Sequence, residues 1–294
     1  MEICLNTDYV SSTADPEKYL KMMAEAGFTH VHWCHQWNTD FIYSLHEIRE
    51  YRKAMKNFGL KLLDIHGSAG MEKGWYSTEE YRRKAGVELV ENRMMMLAEM
   101  EGSGSLIMHP PYYHEKQTPE LREATRPKLD AFRRTMDDLI PAIEKYKVRI
   151  AIENLPYDTF EILFDLMKEY PAEWLGITFD TGHANMGSCS GLKLIRKVKD
   201  RIQALHLQDN DGAIGDQHQP PFYGKIDWAD IVSLLRESSY RDRPLSFELS
   251  IRNTPFYDPE KKEDQPEDKI REFLMETYRR CEKVVKMMYQ ETRS

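Results

Sequence analysis

The sequence predicts an α/β protein folded as a (β/α)8 TIM barrel, one domain over residues 1–294. Three observations carry the prediction. A short apolar segment, a polar joint and an amphipathic helical stretch recur eight times, about 37 residues apart. Strands that alternate with helices are parallel strands with helical crossovers, and eight such units fit a closed barrel. The first strand runs into Thr7-Asp8-Tyr9 without the glycine-rich phosphate loop that usually opens the competing doubly wound sheet.

Taken in order, the strands fall at residues 2–6, 30–34, 61–66, 105–109, 149–153, 176–180, 202–207 and 245–248. Helical patterns lie near 15–26, 41–58, 78–101, 119–146, 158–170, 190–200, 227–238 and 265–290. Asp15-Pro16, Ser77-Thr78-Glu79-Glu80 and Thr118-Pro119-Glu120 read as helix starts, with a capping oxygen ahead of proline or acidic first-turn residues. Gly27, Gly59 and Gly102 stand where a left-handed cap would end a helix. The charged run 258–269 reads as a solvated loop before the last helix.

Composition narrows the function. Apolar residues make up 41% and aromatics 11%, which is a globular composition and not a disordered one. Forty-one basic residues against 49 acidic give a charge of −8, a poor balance for a protein that grips phosphate backbones. Cys4, Cys34, Cys189 and Cys281 are scattered, which excludes a thiolate zinc ribbon and gives no disulfide framework. The N-terminus lacks a basic region ahead of its apolar run, and no stretch of about 18 apolar residues occurs. The expectation is a soluble protein of the cytoplasm with no membrane partner.

In a barrel of this kind the active face lies at the C-terminal ends of the strands. The residues that close the strands are His66, His109, Glu153, Asp180 with His183, His206 and Glu248, and the loop after the seventh strand adds Asp216 and His218. Carboxylates pointing into a barrel mouth are costly to desolvate unless paired or metal-bound. Imidazole with carboxylate and no thiolate suits Zn²⁺, Mn²⁺, Co²⁺ or Mg²⁺. Glu153, Asp180, His206 and Glu248 can converge on one ion. His66 and His109 flank Glu153, which could bridge to a second ion. His183, Asp216 and His218 are candidates for a third ion or for substrate contacts.

Aromatic residues crowd the loops on this face. Trp37, Tyr112 and Phe222 are the candidate walls for a sugar ring, among neighbours such as Trp75, Tyr76, Tyr113, Tyr157 and Tyr223. His30 and His32 alternate on the second strand and are assigned structural hydrogen bonds. Met94-Met95-Met96 with Met100 reads as helix packing, and the basic clusters at 82–84 and 193–201 read as solvated helix faces.

IEN after the fifth strand, FDTGHAN after the sixth, HLQDNDG with DQHQPP and GKIDW after the seventh, and FELS on the eighth resemble the xylose isomerase-like TIM-barrel superfamily. That group includes sugar isomerases, ketose 3-epimerases, inosose dehydratases and nucleases of the endonuclease IV type. The resemblance to the epimerases implies one divalent ion on Glu153, Asp180, His206 and Glu248, with Glu153 and Glu248 also forming the acid/base pair. The resemblance to the nucleases implies three zinc ions on nine positions, each of which has a counterpart here. One departure concerns the sugar: Gln208, Asp209 and Asn210 follow His206, where the epimerases carry an arginine.

The expected function is therefore a divalent-metal-dependent isomerase or epimerase. It would act by proton transfer beside a metal-bound carbonyl of a small polyhydroxy compound, with no organic cofactor. Cleavage of abasic-site DNA is the alternative. The active-face loops hold four basic residues, Lys73, Lys116, Lys225 and Arg252, too few to receive a duplex with its charge every 1.7 Å or so. Assembly into homo-oligomers is left open.

Overall fold

Eight parallel strands stand in the order β7-β6-β5-β4-β3-β2-β1-β8 in the computed structural model, which describes residues 1–111, 118–187, 190–213 and 215–289. They are β1 (Ile3–Asn6), β2 (His30–Trp33), β3 (Lys61–His66), β4 (Leu106–Met108), β5 (Ile150–Glu153), β6 (Leu175–Asp180), β7 (Ile202–His206) and β8 (Leu245–Phe247). β1 pairs with β8 through Ile3–Leu245, Cys4–Ser246 and Leu5–Phe247. A single parallel bridge between Leu207 and Phe247 joins β7 to β8, so the barrel is nearly closed, as the sequence predicts. The helices around it are α1 (Pro16–Ala26), α2 (Leu45–Asn57), α3 (Glu80–Glu99), α4 (Pro119–Tyr146), α5 (Glu161–Glu169), α6 (Thr181–Asn185), α7 (Gly191–Leu194), α8 (Trp228–Arg236) and α9 (Glu267–Tyr289). Among the described residues no helix is long and apolar enough to cross a membrane.

The two-residue period of the strands sorts the side chains. Ile150, Ile152, Ile177, Phe179 and Leu205 turn outward into the apolar layer beneath the helices, where burial of each stabilises the fold by roughly 1.5–3 kcal/mol. Their neighbours turn inward. Ile107, Ala151 and Ala204 form a small apolar plug inside the barrel. The next inward residues on β5 and β7 are Glu153 and His206, so the pleat that buries the aliphatic residues lifts the polar ones to the rim.

The expected helix starts hold in two places out of three. Asp15 accepts the Glu17 amide ahead of Pro16, and Thr118 accepts the Leu121 amide ahead of Pro119. Ser77 does not cap α3: Glu79 occupies the cap position with no side-chain bond. The second helix is shorter than expected because a reciprocal Ser44–Glu47 capping box starts it at Leu45. Gly27 and Gly59 take the left-handed cap conformation, at φ 107° and 72°. Gly102 does not. Glu101 takes it instead, at φ 58°, and a Cβ at position 102 would stand 2.2 Å from the Leu97 side chain, which would have to shift. The sixth crossover departs most from expectation. It begins with the five-residue α6 directly on Asp180 and continues as one turn of α7 and a 3₁₀ stretch.

Candidate functional site

Six strands deliver polar side chains to one point at the C-terminal rim. Glu153, at the end of β5, is 1% exposed and touches three imidazoles. Its Oε1 lies 3.0 Å from His206 Nδ1 and 3.2 Å from His183 Nδ1, and its Oε2 lies 3.2 Å from His109 Nε2. Glu248 reaches the same His206 nitrogen at 3.1 Å. Asp180 caps α6: its Oδ1 accepts the His183 amide at 2.6 Å, and its Oδ2 lies 3.8 Å from His183 Nδ1. One ligand atom each from Glu153, Asp180, His206 and Glu248 falls within 4.8 Å of the others.

Two further groups flank this one. His66 Nδ1 lies 3.0 Å from the Gly67 carbonyl, which takes its proton and leaves Nε2 bare, 3.3 Å from His109 Nε2. Those two nitrogens and Glu153 form a compact trio. On the other side Asp216 Oδ2 lies 3.0 Å from His183 Nε2 and 2.7 Å from His218 Nε2. All nine residues singled out in the sequence thus meet, in three groups that touch through Glu153 and its His183 and His206 contacts.

Electrostatics describes the same geometry. Burial opposes charge on His206, but Glu248 and Glu153 hold it protonated well above the usual histidine range. Burial likewise opposes charge on His218, and Asp216 and Glu248 carry it up to about 10. Burial, seconded by Glu153, Asp216 and Glu248, lifts Asp180 to about 7 in spite of His183. Burial and His109 press His66 down to about 3, so its ring stays neutral. The carboxylates call for positive charge here, and in the absence of an ion protons supply it.

The residues fit a divalent cation. The donors are imidazole nitrogens and carboxylate oxygens only. Glu153 Oε2 is buried without a hydrogen bond although His109 Nε2 stands 3.2 Å away, so the two atoms approach without the alignment a proton between them requires. Spacings of 3.0–3.3 Å between His206, Glu153, His109 and His66 are those of neighbouring corners around an ion with bonds of roughly 2.0–2.2 Å. A further grouping of His32, Cys34 and Glu248 has similar spacing. It lacks a thiolate, because burial, Asp8 and Glu248 raise the Cys34 thiol well above its ordinary value.

Several supporting residues escaped the sequence reading. Gln208 Nε2 donates to Asp180 Oδ2 at 3.1 Å and Asp216 Oδ1 at 3.0 Å, while its Oε1 accepts the His218 amide. It ties the central group to the outer one. Gly182 lets it do so, since a Cβ there would lie 2.4 Å from the Gln208 amide. Asn154 exchanges two hydrogen bonds with the Asp180 backbone and fixes the ends of β5 and β6 together. Asp209 accepts four donors and folds the loop that carries Asp216 and His218. His32, assigned only a structural bond, stands 3.1 Å from His206. The inward phase of one of two alternating histidines was the available signal.

The walls divide. Trp37 packs its ring 4.6 Å from His66 and 5.5 Å from His109 and donates its indole N–H to Asp8. Phe222 has other neighbours: its ring lies 6.0 Å from Trp228, tilted by 51°, under the Lys283 ammonium at 4.0 Å, and its backbone N–H donates to Asp209. Tyr112 lies outside the described residues.

A sequence model described as xylose isomerase-like TIM barrel matches residues 20–276. A D-psicose 3-epimerase of Enterocloster bolteae is 24% identical over 240 residues, 78% of this chain and 75% of that protein. An uncharacterised protein of Sinorhizobium fredii is 27% identical over 254 residues, 79% of this chain and 80% of its own. Among solved structures, a D-tagatose 3-epimerase-like protein superposes with TM-score 0.72 at 20% identity, covering 98% of both chains. D-psicose 3-epimerase from Clostridium cellulolyticum H10, solved with D-tagatose, superposes with TM-score 0.69 at 16% identity, covering 97% of this chain and 99% of its own. With the family match spanning most of the barrel, the chain belongs to the xylose isomerase-like TIM barrel family.

Proposed function

We propose that the protein is a divalent-metal-dependent isomerase or epimerase of a small, unphosphorylated sugar or cyclitol. The observation that carries the reading is the convergence of Glu153, Asp180, His206 and Glu248 on one buried point beneath an aromatic wall. An ion held there would polarise a carbonyl and its neighbouring hydroxyl and so acidify the C–H between them. Glu153 and Glu248 both reach His206 Nδ1, at 3.0 and 3.1 Å, and would serve as the pair that removes and returns a proton on that carbon. Burial tends to raise Glu248, yet His206 and His218 hold it near 2, so the carboxylate is available as a base at neutral pH. The sparse basic residues of the face suit a neutral substrate. The named epimerases among the relatives and structural neighbours support this class of reaction.

The test is solvent exchange. Metal-loaded protein incubated in D₂O with a panel of ketoses, aldoses and inososes should place deuterium on carbon in at least one of them. Glu153→Gln or Glu248→Gln should cut that exchange at least about 100-fold. Conversion without deuterium would replace proton transfer by a hydride shift. One observation favours the second reading, a phosphodiesterase acting on abasic-site DNA: all three polar groups are complete and contiguous. Cleavage of such DNA with no exchange on any sugar would decide for it.

A further inference from the structure

A line of three buried side chains descends from the site into the barrel. His206 Nε2 lies 3.1 Å from His32 Nε2, and His32 Nδ1 lies 2.6 Å from Asp64 Oδ1. His206 and His32 are 0% exposed and Asp64 is 1% exposed. His32 and Asp64 are register partners across β2 and β3, beside a shift in the ladder between Val31 and His32 that aims the imidazole inward. Asp64 Oδ2 is buried without a hydrogen-bond partner, so this carboxylate is kept inside the barrel at a cost, with His32 as its counterpart.

Hydrogen-bond direction along this line is forced. A carboxylate only accepts, so His32 Nδ1 carries its hydrogen toward Asp64. With a single hydrogen on its ring, placed there, His32 leaves Nε2 as an acceptor. Two ring nitrogens at 3.1 Å need one proton between them, and it has to come from His206 Nε2. His206 Nδ1, which lies 3.0 Å from Glu153 and 3.1 Å from Glu248, is then the nitrogen turned to the carboxylates; it carries a proton in the metal-free protein and is the one bared when an ion takes that proton's place. We propose that Asp64 and His32 are positioning residues that fix the His206 tautomer, so that the Nδ1 lone pair faces the four-ligand pocket. A metal-bound histidine usually donates its second N–H straight to a carboxylate or carbonyl. Here the carboxylate sits one side chain further away, and His32 passes its direction on. The inference rests on the divalent-ion reading of that pocket.

The experiment uses the full chain labelled with ¹⁵N-histidine and loaded with Zn²⁺, which is diamagnetic. Ring nitrogens that are bare, protonated or metal-bound resonate apart, and a His206→Gln sample assigns the ring. The wild type should show zinc on His206 Nδ1, hydrogen on His206 Nε2 and hydrogen on His32 Nδ1. Zinc affinity, measured by competition with a chelator, should fall about 10–100-fold in Asp64→Leu and in His32→Phe. His32→Gln should recover it, because the new amide oxygen can accept from His206 while its NH₂ faces Asp64. Zinc on His206 Nε2, a bare His32 Nδ1, or affinities of the first two variants within about twofold of wild type would each overturn the inference. So would His32→Gln binding as weakly as His32→Phe. The wild-type spectrum needs no variant to fold. Wild type that binds no zinc would instead defeat the ion reading itself.

Discussion

Replacing Asp209 by asparagine changes no shape and should still unfold the rim of the site. Asp209 Oδ1 accepts the Asn210 and Ile226 amides at 2.9 and 3.1 Å, and Oδ2 accepts the Phe222 amide and the Trp228 indole at 2.9 Å each. The carboxylate is 0% exposed. In Asp209→Asn one of the two oxygens becomes an NH₂ facing two buried donors. Two charge-assisted bonds, worth roughly 1.5–3 kcal/mol each, are lost, and both donors are left unpaired. The expected loss is about 3–6 kcal/mol, read from the midpoint of urea unfolding at unchanged slope. The loop from 209 to 228 carries Asp216 and His218, so the outer polar group should weaken with it, whereas Asp227→Asn, at the exposed cap of α8, should cost under about 1 kcal/mol. A loss below about 1 kcal/mol for Asp209→Asn would refute the view that one buried carboxylate organises this loop.

Further outcomes follow from the same contacts. In metal-free protein His218 stands at about 10 against 6.5 unfolded, so its stabilisation is whole below pH 6.5 and is lost as pH rises toward 10. Chelator-treated protein should therefore melt lower near pH 9.5 than near pH 6.5, and Zn²⁺ should remove the difference. Ions compete with these protons and with the one on Asp180, raised to about 7, so metal affinity should fall as pH drops below 7 in equilibrium dialysis. Replacing His66 and His109 together by alanine should remove a metal equivalent or lower turnover with circular dichroism unchanged. Trp37→Ala should raise KM more than it lowers kcat, since its ring packs beside His66 and its indole N–H bonds Asp8 rather than Glu153 or Glu248.

The barrel was legible because its grammar is local. Strands such as 61–66 and 202–206 are short buried runs, and Asp15-Pro16 and Thr118-Pro119 carry their own helix starts. All nine clustered residues could be read because each closes a strand or follows one closely, and strand ends in this fold share one rim. What escaped depends on long-range contact. Gln208, Asn154 and Asp209 act through hydrogen bonds to residues up to 28 positions away, and amides and loop carboxylates give no periodic signal. Phe222 misled because loop membership fixes no direction: its backbone is tied to Asp209 and its ring lies by Trp228 and Lys283. Gly102 misled because Glu101 took the left-handed cap, leaving the glycine to make room for Leu97. Asp64 was invisible as a site residue because it lies mid-strand, one layer below the rim.

The most direct test of the account is the position of the ion. Crystals of the Zn²⁺- or Mn²⁺-loaded protein, measured at the metal's absorption edge, should show an anomalous peak about 2.0–2.3 Å from one atom each of Glu153, Asp180, His206 and Glu248. For His206 that atom should be Nδ1. A stoichiometric metal found away from these four side chains, or side chains turned from a common point in the loaded protein, would contradict it.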